Sequence, residues 1–596
     1  MKQLLIHNDN VNPELLVSFE HREALYPSRA EMLEDDFDMD RFFDSKLAAL
    51  LNVSYDCIFM PFTLNNFDYL EFTGLQVAAH IRLSPYLNHC RTPLVFVGGD
   101  DPADVFKLKP LASLLFTHGI YFLGEPTVAA KEQLLEQISN YPKVSDAGYK
   151  LFLDRIQVDP PANYSSYHSL ANEWGIKKLS ELFKLTDLPN GVKEDIVRIE
   201  DRFKTNLYFK LLEQKLDKAR NKIKNSEKIP PVLPNLDNAR VLYIDDEHDK
   251  GWQALFEFLF SSASAKLLYY DAFKKGLKRE ELFQALTAFI DLPGNEVDFY
   301  IVDLRLCDED MHEADPMKLS GMRVLEYLLK KNKGNQVVLL TASNKTWNLQ
   351  AAFEVGAAGY IIKESPELNY TSKQTAQLFT ELKKAFQKAF RNAYLADLWT
   401  FIKLAGVSAD LTKLTHNNFS NRLLGEGGWL EQIFTLLSLD KSVVYKQVLV
   451  VFVSILEGYC DACFKNGTEL YVILKDNSEV LVGNNNDEGM FTFDFGKYSY
   501  QLTSDDVRKE VRFHAALQKV STFVKENEPR LLVKVVSVLH FRNNFTEAEL
   551  EKVMELVFLR NSVAAHGGQQ KVNESLRYIR MDDIKLMITC LKKMFV

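Results

Sequence analysis

Short, continuous apolar runs alternate with amphipathic helical segments in residues 239–390, and this pattern constrains the fold more than any other feature of the chain. The runs are VLYI at 241–244, KLLYY at 266–270, DFYIVDL at 298–304, QVVLLTA at 336–342 and GYIIK at 359–363. Apolar strands without polar alternation are buried on both faces, and helices are the usual connections between parallel strands. The pattern therefore predicts a doubly wound α/β domain.

The first 130 residues repeat this plan. Their apolar runs are LLIH at 4–7, DCIFM at 56–60, PLVFV at 93–97 and IYFL at 120–123. A helical segment also matches between the two regions, since TGLQVAAHIR at 73–82 resembles SGMRVLEYLL at 320–329. We interpret the repeat as an internal duplication of one (βα)5 unit.

A chain of 596 residues is too long for one hydrophobic core, so further domains are expected. The predicted fold class is α/β and α, with two flavodoxin-like (βα)5 units and a mainly helical C-terminal domain. The predicted boundaries are an N-terminal unit at 1–130, a helical connector at 131–228, a proline-rich linker at 229–238, the second α/β unit at 239–390, and a helical domain at 391–596 with a β insertion at about 470–502.

Charge and composition exclude some classes of function. Lys and Arg total 71 and Asp and Glu total 81, and the resulting net charge of −10 disfavours a general nucleic-acid coat protein. We identify no continuous apolar run of the roughly 18 residues that a membrane span needs. The six scattered cysteines favour a reducing compartment over a disulfide framework. We expect a cytoplasmic protein with no membrane partner.

Polar residues stand where the strands of the second unit end. Asp245 and Asp246 follow its first strand, Asp303 its third, Thr341 its fourth and Lys363 its fifth. The carboxyl ends of parallel strands meet at one edge of the sheet, so these side chains should converge. Clustered carboxylates need a hard cation, and Mg²⁺ takes oxygen ligands. A carboxylate beside Mg²⁺ and a lysine suits attack on phosphorus to form an acyl phosphate.

This constellation resembles the receiver domain of two-component response regulators, over essentially all of residues 239–390. The resemblance implies that Asp303 in YIVDLRL is the phosphoacceptor and that a histidine kinase or phosphotransfer protein is the phosphoryl donor. It also implies a role for each of the other strand-end residues. Mg²⁺ would be held by Asp245, Asp246, Asp303 and the backbone carbonyl of Arg305, while Thr341, Lys363 and the switch aromatic Tyr360 would respond to the phosphoryl group.

Two features depart from the receiver pattern. Cys307 stands where the family usually has a proline shortly after the phosphoacceptor. The following loop, within residues 307–319, is longer than usual and rich in acidic residues. Either the loop is a solvated surface segment, or its negative charge competes for Mg²⁺ or shields the acyl phosphate from water.

The N-terminal unit keeps the strands without the chemistry. Asn8-Asp9-Asn10 occupies the place of the acidic pair, Met60 or Pro61 that of the phosphoacceptor, Gly98 that of the threonine, and Gly124 or Glu125 that of the lysine. The unit resembles a pseudo-receiver. Without a nucleophile it cannot carry out phosphotransfer, so dimerisation or docking is its expected role.

The helical third contains FLRNSVAAHGG at 558–568, in which Arg560 and His566 are six residues apart and Asn561 follows the arginine. This spacing resembles the Arg-and-His motif of HEPN domains, many of which are metal-independent ribonucleases that act as dimers. The resemblance implies catalytic roles for Arg560, Asn561 and His566, a homodimer, and RNA as partner of this domain. The alternative is a structural helix end that is capped by Gly567.

Three functions remain open from the sequence. The first is a phosphorelay response regulator that is phosphorylated on Asp303 in a Mg²⁺-dependent way and controls the helical output domain. The second is a receiver-gated HEPN ribonuclease of the defence or toxin type. The third is a signalling scaffold in which every domain only binds partners.

Overall fold

The elements below are those of a computed structural model, in which the chain forms two compact units. One unit comprises Met1–Arg323 with Val338–Gln387, and the other comprises Val324–Val337 with Lys388–Val596. The structure describes residues 1–8, 11–34, 37–65, 68, 70–140, 143–161, 167–183, 188–215, 228–274, 276–368, 370–406, 419–465, 467, 469–485, 491–495, 498–505, 508–511, 520–522, 531–566, 570–572 and 575–595.

A parallel five-stranded sheet forms the N-terminal part of the first unit. Its strands are β1 Gln3–His7, β2 His21–Ala24, β3 Cys57–Pro61, β4 Leu94–Val97 and β5 Ile120–Leu123, in the order β2-β1-β3-β4-β5. The flanking helices are α1 Pro13–Val17, α2 Arg29–Met32, α3 Met39–Leu50, α4 Thr73–Leu83, α5 Pro102–Leu108 and α6 Val128–Ser139. Short 3₁₀ segments lie at Pro85–Leu87 and Pro110–Phe116.

Side-chain caps begin several of these helices. Asp38 accepts from the backbone N–H of Arg41 at the start of α3, and Thr127 accepts from that of Ala130 at the start of α6. Such caps satisfy N–H groups that have no partner within a helix. Apolar residues of β1, β3 and β4 are fully buried between the helical layers, as expected for a sheet covered on both faces.

Helices follow this sheet in the connector region. They are α7 Asp146–Arg155, α8 Tyr167–Leu182, α9 Asn190–Thr205 and α10 Leu207–Lys215. Helix α9 buries one apolar stripe, formed by Val192, Ile196, Ile199 and Phe203. These steps of three and four residues place the side chains on one face of the helix.

A second parallel five-stranded sheet repeats the first. Its strands are β6 Arg240–Ile244, β7 Lys266–Tyr269, β8 Phe299–Val302, β9 Val337–Thr341 and β10 Gly359–Ile362, in the order β7-β6-β8-β9-β10. Its helices are α11 Trp252–Ser262, α12 Arg279–Ile290, α13 Ser320–Lys331, α14 Thr346–Val355 and α15 Ser372–Arg391, with 3₁₀ segments at Asp308–Met311, Pro316–Lys318 and Pro366–Leu368. Both strand orders fit a flavodoxin-like receiver fold.

The other compact unit, Val324–Val337 with Lys388–Val596, is mainly helical. Its helices are α16 Tyr394–Gly406, α17 Phe419–Leu424, α18 Trp429–Ser438, α19 Tyr445–Cys463, α20 Leu531–Phe541, α21 Glu547–His566 and α22 Met581–Phe595, with a 3₁₀ segment at Ser442–Val444. Antiparallel strands follow α19: β11 Phe464–Lys465, β12 Glu469–Ile473, β13 Glu479–Asn485, β14 Phe491–Phe495, β15 Tyr498–Asp505, β16 Arg508–Val511 and β17 Val520–Thr522. A separate hairpin joins β18 Gln570–Val572 and β19 Ser575–Arg577.

The antiparallel strands run from Phe464 to Thr522, beyond both ends of the β insertion that the sequence predicts at about 470–502. Strands β16 and β17 read RKEV and VST, which lack the apolar alternation that indicates a strand. These two strands are defined by their backbone pairing with neighbouring strands. The sequence pattern gives no sign of that pairing.

One helical stretch, Ser442–Cys463, is long and apolar enough by composition to cross a membrane. Its residues Leu449, Phe452, Val453 and Leu456 are fully buried in the hydrophobic core of the helical unit. A core helix passes the same test of length and composition, and nothing in the structure points to a membrane location. The six cysteines are all free thiols.

Candidate functional site

The second sheet brings its strand-end residues together. Strands β6 and β8 pair in parallel with Ile244 opposite Val302, so Asp245 and Asp303 leave the sheet side by side. The backbone N–H of Asp303 still donates to the carbonyl of Ile244 at 2.8 Å. The ladder therefore extends to the nucleophile predicted from the sequence and fixes its backbone.

Lys363 joins the two carboxylates. Its backbone N–H donates to the carbonyl of Thr341 at 2.7 Å, which places the lysine directly after β10. Its Nζ donates to Asp245 Oδ2 at 2.7 Å and to Asp303 Oδ2 at 2.8 Å. All three side chains are buried, with Asp303 3% exposed and Lys363 1% exposed. This arrangement is a buried ion cluster of two acids and one base.

Further donors hold the acids in place. The hydroxyl of Tyr243 donates to Asp245 Oδ2 at 2.6 Å, and the N–H of Glu247 donates to Asp245 Oδ1 at 2.9 Å. Asp303 Oδ1 accepts from the N–H groups of Leu304 and Arg305, the latter at 3.4 Å. The hydroxyl of Thr341 also favours the ionised form of Asp303 and lowers its pKa. Buried charges that are paired and hydrogen-bonded in this way avoid the desolvation cost of isolated ones.

The cluster sets the protonation of each member. Burial raises the pKa of Asp303 to about 6, against the pull of Lys363. Burial also opposes ionisation of Asp245, but the charge and hydrogen bonds of Lys363 outweigh it and lower the pKa of Asp245. Burial first, and then the neighbouring Asp245 and Asp303, raise the pKa of Asp246 well above its ordinary value. The pull of Lys363 on Asp246 is smaller than these effects and does not offset the rise of its pKa.

This donor set fits Mg²⁺ better than a transition metal. Among the described residues, no three His, Cys, Asp or Glu side chains form a group that could hold a metal ion by themselves. Mg²⁺ does not need such a cage, because it commonly binds through one or two carboxylates and keeps several waters. The half-buried Asp246 beside Asp245 and Asp303 offers those oxygens, and the Arg305 carbonyl is the further ligand that the receiver resemblance implies.

The predicted switch aromatic lies at the neighbouring loop. The hydroxyl of Tyr360 donates to the backbone carbonyl of Ser343 at 3.1 Å, two residues after Thr341. Burial raises the pKa of this phenol, so it remains a donor at neutral pH. The contact links the loop after β9, which begins at Thr341, to β10.

The acidic loop is buried at its centre, whereas Asp308, Glu309 and Asp315 are exposed, as the solvated-segment alternative expects. Asp310 is fully buried and accepts from the N–H groups of Leu306 at 3.0 Å and Ser320 at 3.2 Å. Arg279 Nε donates to it at 2.9 Å, and Arg279 Nη1 donates to Glu313 at 3.3 Å. Asp310 therefore ties the loop to α13 and α12 instead of meeting solvent or the phosphoacceptor. The sequence offers no signal for this, because Arg279 is distant along the chain.

The first sheet has the same register with different residues at its edge. Gln3 lies opposite Cys57 as Val241 lies opposite Phe299, so Pro61 takes the place that Asp303 has in the second sheet. A glycine marks the same point in each unit. A Cβ on Gly74 would lie 1.9 Å from the Pro61 carbonyl oxygen, and one on Gly321 would lie 2.0 Å from that of Asp303. Of the two sequence alternatives, Met60 and Pro61, the register selects Pro61.

A second buried ion cluster, which the sequence does not reveal, lies away from that edge. Lys210 Nζ of α10 donates to Asp44 and to Ser84 Oγ at 2.7 Å, and lies 3.0 Å from His80 Nδ1. The other ring nitrogen of His80 lies 3.0 Å from Asp40 Oδ1. Burial lowers the pKa of both His80 and Lys210. These contacts span 130 residues of chain and leave no local motif.

The C-terminal motif lies on helix α21. Arg560 Nη2 lies 3.6 Å from Glu457 Oε1 of α19, an ion pair, and His566 is the last residue of α21. The side chains of Asn561 and His566 lie outside the described residues. The ribonuclease roles of Arg560, Asn561 and His566 stay predictions.

Comparison with known proteins bears on the first sheet. No curated protein matches the chain. A solved two-component response regulator of the LuxR family from Aurantimonas sp. SI85-9A1 is 17% identical and is matched over 25% of this chain and 99% of its own, with a TM-score of 0.16, too low to carry weight. Residues 12–123 match the family model of the inactive receiver domain. The chain therefore contains a receiver-type domain of the inactive class.

Proposed function

We propose that the protein is a phosphorelay response regulator whose second α/β unit accepts a phosphoryl group on Asp303. The observation that carries the proposal is the placement of Lys363 Nζ between Asp245 and Asp303, at 2.7 and 2.8 Å. Among the described residues, Lys363 is the only basic side chain that hydrogen-bonds to the carboxylate of either acid. A nucleophilic carboxylate, a second acid, a hydroxyl and a buried ammonium at one sheet edge suit phosphoryl transfer.

In the proposed reaction an oxygen of Asp303 attacks the phosphorus of a phosphohistidine on a histidine kinase or phosphotransfer protein. The P–N bond breaks, the imidazole keeps its electron pair, and an acyl phosphate forms on Asp303. Lys363 keeps the attacking carboxylate ionised and then balances the charge of the phosphoryl oxygens. Mg²⁺, held by Asp246, Asp245, Asp303 and the Arg305 carbonyl, supplies further charge neutralisation when bound.

The hydroxyl of Thr341 and the ring of Tyr360 are the parts that respond. The hydroxyl of Thr341 already favours the ionised form of Asp303, so we expect it to follow the new phosphoryl oxygens. The hydroxyl of Tyr360 donates to the backbone carbonyl of Ser343, two residues after Thr341. A shift of Thr341 therefore moves the acceptor that holds the tyrosine ring. A local change of charge thereby shifts the population of two loop conformations.

The inactive receiver domain takes a different role in this proposal. With Pro61 at the nucleophile position it lacks the group that attacks phosphorus. It serves as a docking or dimerisation module. The second α/β unit receives the signal, and the helical unit delivers the output.

Labelling tests the proposal directly. The full chain is treated with acetyl phosphate and Mg²⁺, and intact mass is measured for the wild type, Asp303→Asn and Asp308→Asn. Asp308 is an exposed carboxylate of the same loop region and is the matched control. We expect one phosphoryl group on the wild type and on Asp308→Asn and none on Asp303→Asn. Labelling that survives in Asp303→Asn, or that maps to residues 1–123, contradicts the proposal.

A further inference from the structure

Helix α8 of the connector region lies against the edge of the second sheet that holds Asp303. The side-chain amide of Asn172 donates to Glu247 Oε2 at 2.6 Å. Glu247 in turn gives its backbone N–H to Asp245, so the contact reaches the loop that carries the acidic pair. Asn172 is 1% exposed. The helix is therefore in direct contact with one of the two loops that flank the nucleophile.

A glycine brings the same helix close to the lysine side of the site. A Cβ on Gly175 would lie 3.2 Å from Cζ2 of Trp252 and 3.6 Å from the carbonyl oxygen of Glu364. Trp252 in turn lies over the cluster, with its ring centre 6.0 Å from Lys363 Nζ. A Cβ at position 175 already requires Trp252 to shift by a few tenths of an ångström, and a long side chain such as leucine has to push against the tryptophan.

The residue after Lys363 makes the remaining contacts. The carboxylate of Glu364 accepts from Thr375 Oγ1 at 2.8 Å, and it also interacts with the side chains of Trp174 and Lys178 of α8. Helix α8 thus touches the loop after β6 and the loop after β10, on both sides of Asp303. In this arrangement Asp303 is 3% exposed.

The contact between α8 and the sheet edge is incompletely satisfied. Asn172 Oδ1 and Trp252 Nε1 are both buried and have no hydrogen-bond partner among the described residues. A buried acceptor or donor without a partner destabilises the state that buries it, and exposure to water removes that cost. The closed contact therefore carries a penalty that opening relieves, which is the property of an element that moves.

Reaction requires access to Asp303, which is 3% exposed while α8 contacts the loops on both sides of it. The phosphorus of a donor has to come within about 3–3.5 Å of an Asp303 oxygen in line with the bond that breaks. We propose that helix α8 is an intramolecular lid on the phosphorylation site, and that Asp303 accepts a phosphoryl group only in molecules whose α8 has moved off the loops after β6 and β10. The lid rests on the proposed function, since it gates the same nucleophile.

The test compares two identical substitutions in neighbouring helices. Gly175→Leu wedges a side chain between α8 and Trp252, whereas Gly191→Leu, in α9, introduces a Cβ with nothing within 4 Å. The initial rate of labelling by acetyl phosphate is measured by intact mass for both variants and the wild type. We expect about a tenfold faster rate for Gly175→Leu, because the rate scales with the fraction of open molecules, and an unchanged rate for Gly191→Leu.

A second variant keeps the test decisive if the leucine disturbs folding. Asn172→Asp removes the donor to Glu247 and sets two carboxylates against each other, with little change in volume. It should also raise the labelling rate and increase hydrogen exchange in residues 171–182. Equal rates in the wild type, Gly175→Leu and Asn172→Asp, with labelling on Asp303, overturn the lid and leave the phosphoacceptor intact. Absence of labelling in every variant, including those whose α8 exchanges freely, overturns the phosphoacceptor and the lid together.

Discussion

The two five-stranded sheets share strand order and backbone register but differ in what stands beyond the ends of their strands. The pairs Gln3–Cys57 and Val241–Phe299 occupy equivalent places, yet the equivalent position further along is Pro61, the last residue of β3, in one sheet and Asp303, directly after β8, in the other. The apolar strands therefore suffice for the architecture. The proposed phosphoryl transfer depends on a few side chains at the edge of the second sheet. The sheet positions these side chains, but the first sheet forms with other residues in their place.

Buried charge occurs in both regions at different places. In the second sheet Lys363 lies at the functional edge between Asp245 and Asp303. In the N-terminal region one buried lysine, Lys210, reaches Asp44 from helix α10. On the proposed function, one cluster stands where the phosphorus of the donor would arrive, whereas the other joins helix α10 to Asp44 of helix α3.

The largest effect is expected when the candidate nucleophile is moved from the second sheet to the equivalent position of the first. The double variant Pro61→Asp, Asp303→Asn places a carboxylate at the equivalent point of the inactive domain and removes the original one. We expect complete loss of labelling by acetyl phosphate, because no lysine follows β5, where Gly124 and Glu125 stand. Intact mass measures this, with Pro61→Asp alone as the control that keeps wild-type labelling. A labelled double variant would show that the carboxylate alone suffices.

Removal of the lysine from each cluster should have the next largest effect. Lys363→Met leaves Asp245 and Asp303 buried without a cation and should destabilise the second sheet by about 3–5 kcal/mol. Lys210→Met should cost less, because Lys210 hydrogen-bonds to one buried carboxylate, that of Asp44, whereas Lys363 hydrogen-bonds to two. Hydrogen-exchange protection of β6 and β8, compared with β1 and β3, separates the two effects. Equal losses would mean that the two clusters are energetically equivalent.

The residue two positions after the last strand sharpens the comparison through pH. Burial raises the pKa of Glu364 from 4.5 to about 7, so the folded protein holds its proton where the unfolded chain has lost it. An acid with a raised folded pKa stabilises the fold below its unfolded pKa, and that contribution is lost as the pH rises from 4.5 through 7. The loss amounts to roughly 3 kcal/mol.

Glu364→Gln should remove this dependence, so that protection of β10 at pH 8 rises relative to the wild type. Glu125, at the matching position after β5, is exposed, and Glu125→Gln is the control that should change nothing. Hydrogen exchange at pH 5 and pH 8 provides the measurement. A pH dependence that persists in Glu364→Gln would assign it to another group.

Metal binding should give the smallest effect. Mg²⁺ added to the wild type should change the fluorescence of Trp252, which lies 6.0 Å from Lys363 Nζ, and Asp246→Ala should abolish that change. Asp308→Ala, which removes an exposed acid of the loop, is the matched control. If Asp308→Ala abolishes the change and Asp246→Ala does not, the loop holds the ion and the strand edge does not.

Local patterns were enough to predict the second sheet, four of the five strands of the first and the strand-end residues, but not β2, which reads HREA and is mostly exposed. Continuous apolar runs indicate buried parallel strands, and the ends of such strands share one edge, so Asp245, Asp303 and Lys363 could be grouped before any contact was known. The helical connector and the strands around 470–502 were also visible in part. Strands such as β16, read RKEV, carry no such periodicity and depend on their neighbours.

The sequence by itself determined the duplicated α/β plan and the identity of the residues at the second sheet's edge, because both follow from periodicity and strand ends. Only the tertiary structure decided what surrounds them. The contact of Asn172 with Glu247, the buried role of Asp310 and the pairing of Lys210 with Asp44 each join residues far apart in the chain. Side-chain contacts of this kind depend on how helices pack onto a sheet, and packing leaves no periodic mark on the residues that it brings together.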